Sequence, residues 1–130
     1  MEVNMLETGI KGTQSVEVGE DNSAKTMGSG TLDVFATPAM TALMEKTAWT
    51  SVAPYLEEGQ GTVGTRLDVT HDAPTPFGKT VTCESELVEV DGRRLVFEVT
   101  ARDGSHVIGK GKHERFIISE EKFQAKANQA

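Results

Sequence analysis

One helical segment followed by several strand-like segments is the feature that most restricts how this chain folds. Thr37-Pro38 predicts the start of that helix, because threonine caps free N–H groups and proline is favoured at the first helical position. The sequence EEGQG, from Glu57 to Gly61, predicts the turn that follows its end. Between them, apolar or small residues recur at helical spacing, namely Met40, Leu43, Met44, Thr47, Ala48 and Ser51.

Beyond the helix the apolar pattern changes to the period of two that is typical of strands. Residues 81–88 and residues 94–101 alternate in this way. Asp91-Gly92 between them predicts a hairpin turn, because both residues tolerate positive φ. A second turn at Asp103-Gly104-Ser105 leads into a long run from His106 to Ile118. The pattern therefore predicts three consecutive antiparallel strands.

Two more strands are predicted upstream of these three. Thr62 to His71 forms one of them, before a proline-bearing loop at residues 73–76, and Ile10 to Val18 is a weaker first strand. Gly28-Ser29-Gly30 predicts a mobile loop ahead of the helix, and the polar tail from Ser119 to Ala130 is expected to form one short helix. The complete order is a strand, the long helix and four antiparallel strands.

This order of elements predicts an α+β hotdog fold. One helix cannot cover both faces of a sheet of about five strands, so the simplest architecture wraps the antiparallel sheet around the long helix. The 130 residues suit a single domain, residues 1–130, in which residues 1–9 and 119–130 are expected to be peripheral. Because the sheet edge and the exposed helix flank of such a fold commonly bind a second copy, we expect a homodimer or a higher assembly.

The charge and the cysteine content limit the classes of partner and the cell compartment that we expect. The chain carries 20 acidic and 13 basic residues, and its formal net charge of -7 disfavours broad binding to nucleic acid or to a membrane surface. The single cysteine, Cys83, leaves no intrachain disulfide, and neither a secretory signal nor an apolar run long enough to span a bilayer is recognised. We therefore expect a cytoplasmic protein. The three histidines and one cysteine show no zinc-type spacing, so no metal site is predicted.

Three side chains are suited to proton transfer or nucleophilic attack, and each also has an ordinary structural explanation. Glu45 interrupts an apolar stretch of the helix, where a carboxylate either faces water or is partly buried as a proton acceptor. His71 ends a strand, where it either bonds to its own loop or transfers protons near neutral pH. Thr37 either only caps the helix or acts as a nucleophile, which requires an adjacent base.

The spacing of Thr37 and Glu45 bears on how these residues meet. Eight residues on one helix correspond to roughly 12 Å along its axis, so direct contact within one chain is not expected. If Thr37, Glu45 and His71 act together, a site built from two subunits is an economical solution.

Two further segments are candidates for ligand contact. The sequence GTVGT, from Gly61 to Thr65, places two glycines at the start of a strand, which indicates either a close backbone approach to a ligand or a bulge. It is not a phosphate-binding loop, because it lacks both the required lysine and a following helix. Residues 110–115 are locally basic, and we interpret them as a solvated strand face.

Ten short segments share their order and spacing with one known family. They are VFAT at residues 34–37, LME at 43–45, APYLE at 53–57, GTVGT at 61–65, VTH at 69–71, TPFGKTVT at 75–82, GRRL at 92–95, IG at 108–109, HER at 113–115 and EKF at 121–123. Through them the chain resembles the fluoroacetyl-CoA-specific thioesterase family of hotdog enzymes, over roughly residues 34–126.

The resemblance implies hydrolysis of an acyl-CoA to a carboxylic acid and free coenzyme A, without a metal or redox cofactor. The family's catalytic threonine, glutamate and histidine correspond to Thr37, Glu45 and His71, and its substrate-contacting glycine and arginine correspond to Gly64 and Arg115. We therefore predict a thioester hydrolase that acts on a short acyl-CoA. The alternatives are a non-catalytic acyl-CoA-binding or lipid-binding protein and an enoyl-CoA hydratase, a class that usually shows an Asp/His pair in a different helix context.

The segment before the helix departs from the family pattern. The fluoroacetyl-specific enzyme carries phenylalanines there, in a hydrophobic lid, whereas residues 27–32 of this chain are MGSGTL and the first aromatic residue is Phe35. Phe35 is the substrate contact that we predict from this segment. The lid is expected to be smaller and more flexible, so the resemblance does not imply a preference for a fluorinated acyl group.

Overall fold

The secondary structure follows the predicted order, with one additional short helix before the long one. A computed structural model describes residues 5–130, so the expectations for residues 1–4 lie outside the described residues. The bounds are β1 Lys11–Glu17, a 3-10 turn Glu20–Asn22, α1 Ala24–Met27, α2 Thr37–Val52 continued by a 3-10 turn Ala53–Tyr55, β2 Gln60–His71, β3 Thr80–Asp91, β4 Arg94–Asp103, β5 His106–Ser119 and α3 Glu120–Asn128.

The five strands form one antiparallel sheet in the order β1-β3-β4-β5-β2, and α2 packs against this sheet. Met40 and Met44 of α2 are fully buried and belong to the same apolar core as Leu87 of β3 and Phe97 of β4. The stripe of small and apolar side chains on α2 therefore faces the sheet, as its helical spacing predicts. The predicted α+β architecture, a long helix wrapped by five antiparallel strands, is confirmed.

The hairpin between β3 and β4 forms where predicted but turns one residue later. Asp91 pairs with Arg94 in the ladder, so the two turn residues are Gly92 and Arg93 rather than Asp91 and Gly92. Gly92 has a φ of 61°, which glycine adopts without strain at the first central position of a tight turn. The predicted turn position was wrong by one residue, because Asp91 continues the strand.

The start of α2 also differs from the prediction in its cap. Ala36 is the N-cap residue and makes no side-chain cap hydrogen bond, while Thr37 is the first residue inside the helix. Pro38 follows as the second helical residue, where its missing N–H costs no helical hydrogen bond. The prediction that Thr37 caps the helix was therefore wrong, and its hydroxyl is available for another partner.

The segment between β1 and α2 contains a helical turn that the sequence pattern did not predict. Ser23 caps α1 by accepting a hydrogen bond from the Thr26 N–H, and Gly28 ends this helix with a φ of 72°. Residues 28–33 are exposed and form the predicted glycine-rich loop. A β-bridge between Ser23 and Phe35 joins the two ends of the segment and closes the loop just before α2.

The two end segments of the described chain pack differently. Leu6 is partly buried against the core, and the Gly9 N–H donates a 2.8 Å hydrogen bond to the Leu87 carbonyl. The predicted C-terminal helix is confirmed as α3, and none of its residues is buried. No helix within residues 5–130 combines the length and the apolar character needed to cross a membrane.

Candidate active site

Thr37 and His71 form a side-chain pair where α2 begins and β2 ends. The Oγ1 atom of Thr37 lies 2.7 Å from the Nδ1 atom of His71, although the residues are 34 positions apart in the chain. Thr37 is the first residue of α2 and His71 is the last residue of β2, so the pair depends on how the helix lies on the sheet. A hydroxyl bonded to an imidazole nitrogen is the arrangement in which histidine activates an oxygen nucleophile.

The Thr37–His71 pair borders a cavity of about 250 Å³. One wall comes from the loop before α2 and the other from the loop after β2. The side chains that line it beside the pair include Ser29, Val34, Phe35, Ala73 and Pro74. The pair therefore faces a space that is large enough for a small ligand.

His71 is held in the neutral form that proton abstraction requires. Burial lowers the pKa of His71 below its ordinary value of 6.5, while the negative charge of Asp72 and the backbone of Ala73 act in the opposite direction. The Nε2 atom is buried and has no hydrogen-bond partner among residues 5–130. When Nδ1 accepts a hydrogen bond from the Thr37 hydroxyl, the ring proton lies on Nε2. This tautomer is the one that accepts a proton from Thr37.

Glu45 lies elsewhere in the chain, beside Arg115 of β5. The Nη1 atom of Arg115 donates to Oε2 of Glu45 at 3.2 Å, and the two side chains are 7% and 39% exposed respectively. Arg115 also donates to the hydroxyl and the carbonyl of Thr62, at 2.8 and 2.9 Å. Burial lowers the pKa of Arg115, and the Glu45 carboxylate counteracts this effect. Glu45 is thus a partly buried carboxylate held by an oriented guanidinium.

His113 completes the surroundings of Glu45, and the sequence analysis did not identify it. Its ring is 1% exposed, with Nε2 at 3.1 Å from Nη1 of Arg115 and Nδ1 at 2.8 Å from the Arg66 carbonyl. The interpretation of residues 110–115 as a solvated face was wrong for His113 and Arg115, which are both buried. The strand period of two within β5 was the available signal, because it separates these residues from Lys112 and Glu114.

Gly64 lies directly against this cluster. A Cβ atom on Gly64 would be 2.6 Å from Oε2 of Glu45, which is closer than real Cβ atoms come to a neighbour, and 3.2 Å from Cε1 of His113, which is a tight contact. The ladder between β2 and β5 also shifts register between Gly64 and Arg66. The bulge offered as one explanation for the glycines is therefore found here. The Gly64 backbone also lies close to Glu45, and its approach to a ligand stays a prediction.

The structure does not bring all predicted catalytic residues together within one chain. Thr37 and His71 form one cluster, and Glu45, Gly64 and Arg115 form a second one. No hydrogen bond or ion pair between the two clusters is found among residues 5–130. This separation agrees with the distance expected between Thr37 and Glu45 along the helix.

Phe35 lies between two cavities. It lines the 250 Å³ cavity at Thr37 and also a more apolar cavity of about 330 Å³ on the other side, bordered by Met27, Ala39 and Leu43. The Phe35 ring is only 1% exposed and belongs to the apolar core. It is therefore a wall of the Thr37 cavity rather than a freely exposed contact.

Histidine, cysteine, aspartate and glutamate are the side chains that bind most metal ions in proteins. In the part of the chain that the structure describes, no three of them are grouped so as to hold a metal ion.

Comparison with known proteins identifies close relatives. Residues 18–121 match the family described as fluoroacetyl-CoA-specific thioesterase. The fluoroacetyl-CoA thioesterase of Streptantibioticus cattleyicolor is 53% identical over 97 residues, which cover 75% of this chain and 70% of that protein.

Solved structures give the same relationship at the level of the fold. A solved structure of the fluoroacetyl-CoA thioesterase FlK aligns with a TM-score of 0.92 and 41% identity, covering 97% of this chain and 98% of that one. A hot-dog-like protein from Thermanaerovibrio acidaminovorans aligns with a TM-score of 0.85 and 25% identity, covering 94% and 90% of the two chains. The hotdog prediction is confirmed by these alignments.

Proposed function

This chain belongs to the fluoroacetyl-CoA-specific thioesterase family and is a thioester hydrolase, and on this premise we propose that it cleaves a short acyl-CoA with Thr37, Glu45 and His71 as its reactive side chains. The products are a carboxylic acid and free coenzyme A. The observation that carries the proposal is the 2.7 Å contact between Thr37 Oγ1 and His71 Nδ1 beside a cavity.

The proposed reaction begins with proton transfer to His71. The oxygen that loses the proton, on Thr37 or on a water beside it, attacks the thioester carbonyl carbon. The negative charge that develops on the carbonyl oxygen is stabilised either by the N–H groups at the start of α2, at the positive end of the helix dipole, or by the Gly64 N–H. The C–S bond then breaks, and His71 returns the proton to the departing thiolate. If Thr37 is the attacking oxygen, an acyl ester on Thr37 remains. Glu45 then deprotonates a water that attacks this ester, the bond to Thr37 Oγ1 breaks, and the proton passes to the released Thr37 oxygen. If water is the attacking oxygen, Glu45 orients that water and the first step already yields the carboxylic acid.

We propose that two copies of the chain build each active site. β2 is a 12-residue strand at one edge of the sheet, with β5 as its single neighbour among the described residues. Such an edge presents unpaired N–H and C=O groups that favour pairing with another strand. Trp49 on the adjacent flank of α2 is 44% exposed, which adds apolar surface for a partner. A homodimer formed here joins Thr37 and His71 of one protomer with Glu45 of its partner.

Gly64, Arg115 and Phe35 are the proposed substrate-binding residues. The Gly64 backbone lies beside Glu45, and a substrate reaching that carboxylate passes along this backbone. Arg115 is oriented there by four donated hydrogen bonds, to Thr62, Glu45 and His113. Phe35 closes one side of the Thr37 cavity and limits the acyl group that enters it.

The remaining features of the proposal follow from composition. We propose a cytoplasmic enzyme, because its one cysteine is a buried free thiol, which suits a reducing compartment. The net charge of -7 argues against nucleic acid or an anionic membrane as a partner. The reaction described requires no metal or other cofactor beyond the coenzyme A of the substrate.

A thiol-release assay over a panel of acyl-CoA thioesters tests the proposed function. The wild-type protein should release free thiol from short acyl-CoAs, and Thr37→Ala should reduce the rate strongly. Thr41→Ala is the matched control, since Thr41 lies on the same helix and, within residues 5–130, its hydroxyl bonds only to the Pro38 carbonyl. Binding of acyl-CoA without thiol release, or hydration of an enoyl-CoA without thiol release, would contradict the proposal.

A further inference from the structure

The ring of His113 is constrained at both nitrogen atoms. Nδ1 lies 2.8 Å from the Arg66 carbonyl, which only accepts hydrogen bonds, and Nε2 lies 3.1 Å from Nη1 of Arg115, which only donates them. The proton is therefore on Nδ1, and Nε2 is an acceptor. Both contacts require the same neutral tautomer, so this site specifies one protonation state of the ring.

The nitrogen that donates to His113 also holds Glu45. Nη1 of Arg115 carries two N–H groups, one directed to Nε2 of His113 and one to Oε2 of Glu45 at 3.2 Å. The other side of the guanidinium is fixed by Thr62. Because the group is planar and rigid, a change in its contact with His113 also changes its contact with Glu45.

Protonation of His113 is incompatible with this arrangement. A proton on Nε2 would face the N–H of Arg115 and remove the acceptor that this N–H requires, with a second positive charge beside the guanidinium. The protein around His113 leaves the ring little room to move. His113 is buried, and its ring stacks on Phe97 with 6.3 Å between the ring centroids. The Gly64 backbone packs closely against both His113 and Glu45.

The groups around the His113 ring both lower and raise its pKa. Burial lowers the pKa of His113 most strongly, and the positive charge of Arg115 adds to this effect. The Arg66 carbonyl on β2, Glu45 on α2 and Glu114 on β5 oppose it. On β4 the ladder partner of His113 is Phe97, which carries no charge.

We propose that His113 is a positioning residue, which keeps Glu45 in its reactive place through Arg115 and releases it when the ring becomes protonated. This inference rests on the proposed role of Glu45 in thioester hydrolysis. His113 touches neither substrate nor the reacting atoms in this scheme. As the pH falls and the His113 ring takes up a proton, Glu45 loses its orientation.

Two variants and one control test the proposal kinetically. His113→Leu removes the acceptor and should lower kcat roughly 10- to 100-fold, because a hydrogen bond to a charged group is lost. Any rise in KM should be smaller than this fall, since Thr62 still holds the substrate-binding Arg115. His113→Gln offers an amide oxygen to Arg115 and should recover most of this loss. In the pH profile of kcat/KM, the acid limb of His113→Gln should involve one proton fewer than that of the wild type. His106→Gln, at an exposed histidine that begins β5, should keep the wild-type profile.

An NMR titration of the wild-type protein tests the same link without using activity. The guanidinium N–H signals of Arg115 should shift with the midpoint of the His113 ring signals, and should not shift in His113→Gln over that range. Arg115 signals that do not follow His113, or an unchanged acid limb in His113→Gln, would overturn the inference even if thioesters are hydrolysed. Coupled Arg115 and His113 signals in a protein that hydrolyses no acyl-CoA would instead overturn the proposed function and leave the coupling standing.

Discussion

Gly64 lies so close to Glu45 that a Cβ atom on the glycine would be 2.6 Å from the carboxylate oxygen Oε2. Gly64→Ala should therefore displace Glu45 and lower kcat by about 100-fold, since a displacement of about 1 Å has effects of this size in active sites. Gly19→Ala is the matched control, because Gly19 has an extended backbone and nothing lies within 4 Å of the added atom. Steady-state kinetics of both variants checks the prediction, and equal rates would mean that Glu45 tolerates the shift.

The carboxylate of Glu45 is expected to be essential for turnover but not for folding. Glu45→Gln preserves the shape of the side chain and removes its basicity, so kcat should fall by roughly 10²–10⁴-fold. The side chain is 39% exposed, which limits the cost of the change in the free energy of unfolding. The control variant is Glu58→Gln, which changes an exposed loop residue in the same way. Thiol-release rates and urea unfolding should be measured for each protein. Full activity of Glu45→Gln would leave Glu45 with only a structural role.

A mixture of two inactive variants tests whether the active site is shared. In a two-fold dimer of Thr37→Ala with Glu45→Gln, one composite site loses both residues and the other keeps both. Random mixing makes half of the dimers mixed, so about one quarter of the wild-type activity should return. The measurement is thiol release after the two proteins are unfolded and refolded together, with each variant refolded alone as the control. If each active site lies within one chain, the mixture should recover no activity.

Half-buried His71 and buried His113 should make the stability depend on pH below neutrality. Burial lowers the pKa of both His71 and His113 from 6.5, so the unfolded chain binds more protons than the folded chain as pH falls through that value. The free energy of unfolding should therefore decrease with acidification and level off below the folded-state pKa values. Urea unfolding at about pH 7.5 and about pH 5.5 measures the change. This decrease in the free energy of unfolding should be smaller in His113→Gln than in the wild type, and the same as the wild type in His106→Gln. An equal decrease in all three proteins would contradict the contribution of His113.

The loop before α2 should give the enzyme a broad acyl preference. Residues 28–33 are exposed, and Phe35 is the one aromatic ring in the segment from Ser23 to Ala36. Without further rings to exclude water and fill space, kcat/KM for fluoroacetyl-CoA should exceed that for acetyl-CoA by less than about tenfold. Somewhat longer acyl groups, which fill the vacated space, should be turned over better. The test is to measure kcat/KM for these thioesters and to compare the values. A strong preference for fluoroacetyl-CoA would show that residues outside this loop select the acyl group.

Local pattern was sufficient for the architecture of this chain. The helical spacing from Met40 to Ser51 and the alternation from residue 81 onward indicate which side chains face the core, because burial of apolar surface obeys the period of each element. The hotdog fold then follows from one helix and five strands. The errors were local, at Ala36 and at Gly92, where a shift of one residue in a cap or a turn changes no pattern of burial.

Pairing between distant elements is what only the tertiary structure decided. Thr37 and His71 are both visible in the sequence, but their 2.7 Å contact depends on where β2 ends relative to α2. The burial of His113 was not predicted, because the alternation along β5 separates two faces but does not say which of them is buried. Residue type and spacing set what each side chain is able to do, whereas the packing of α2 on the sheet selects its partners and its protonation state.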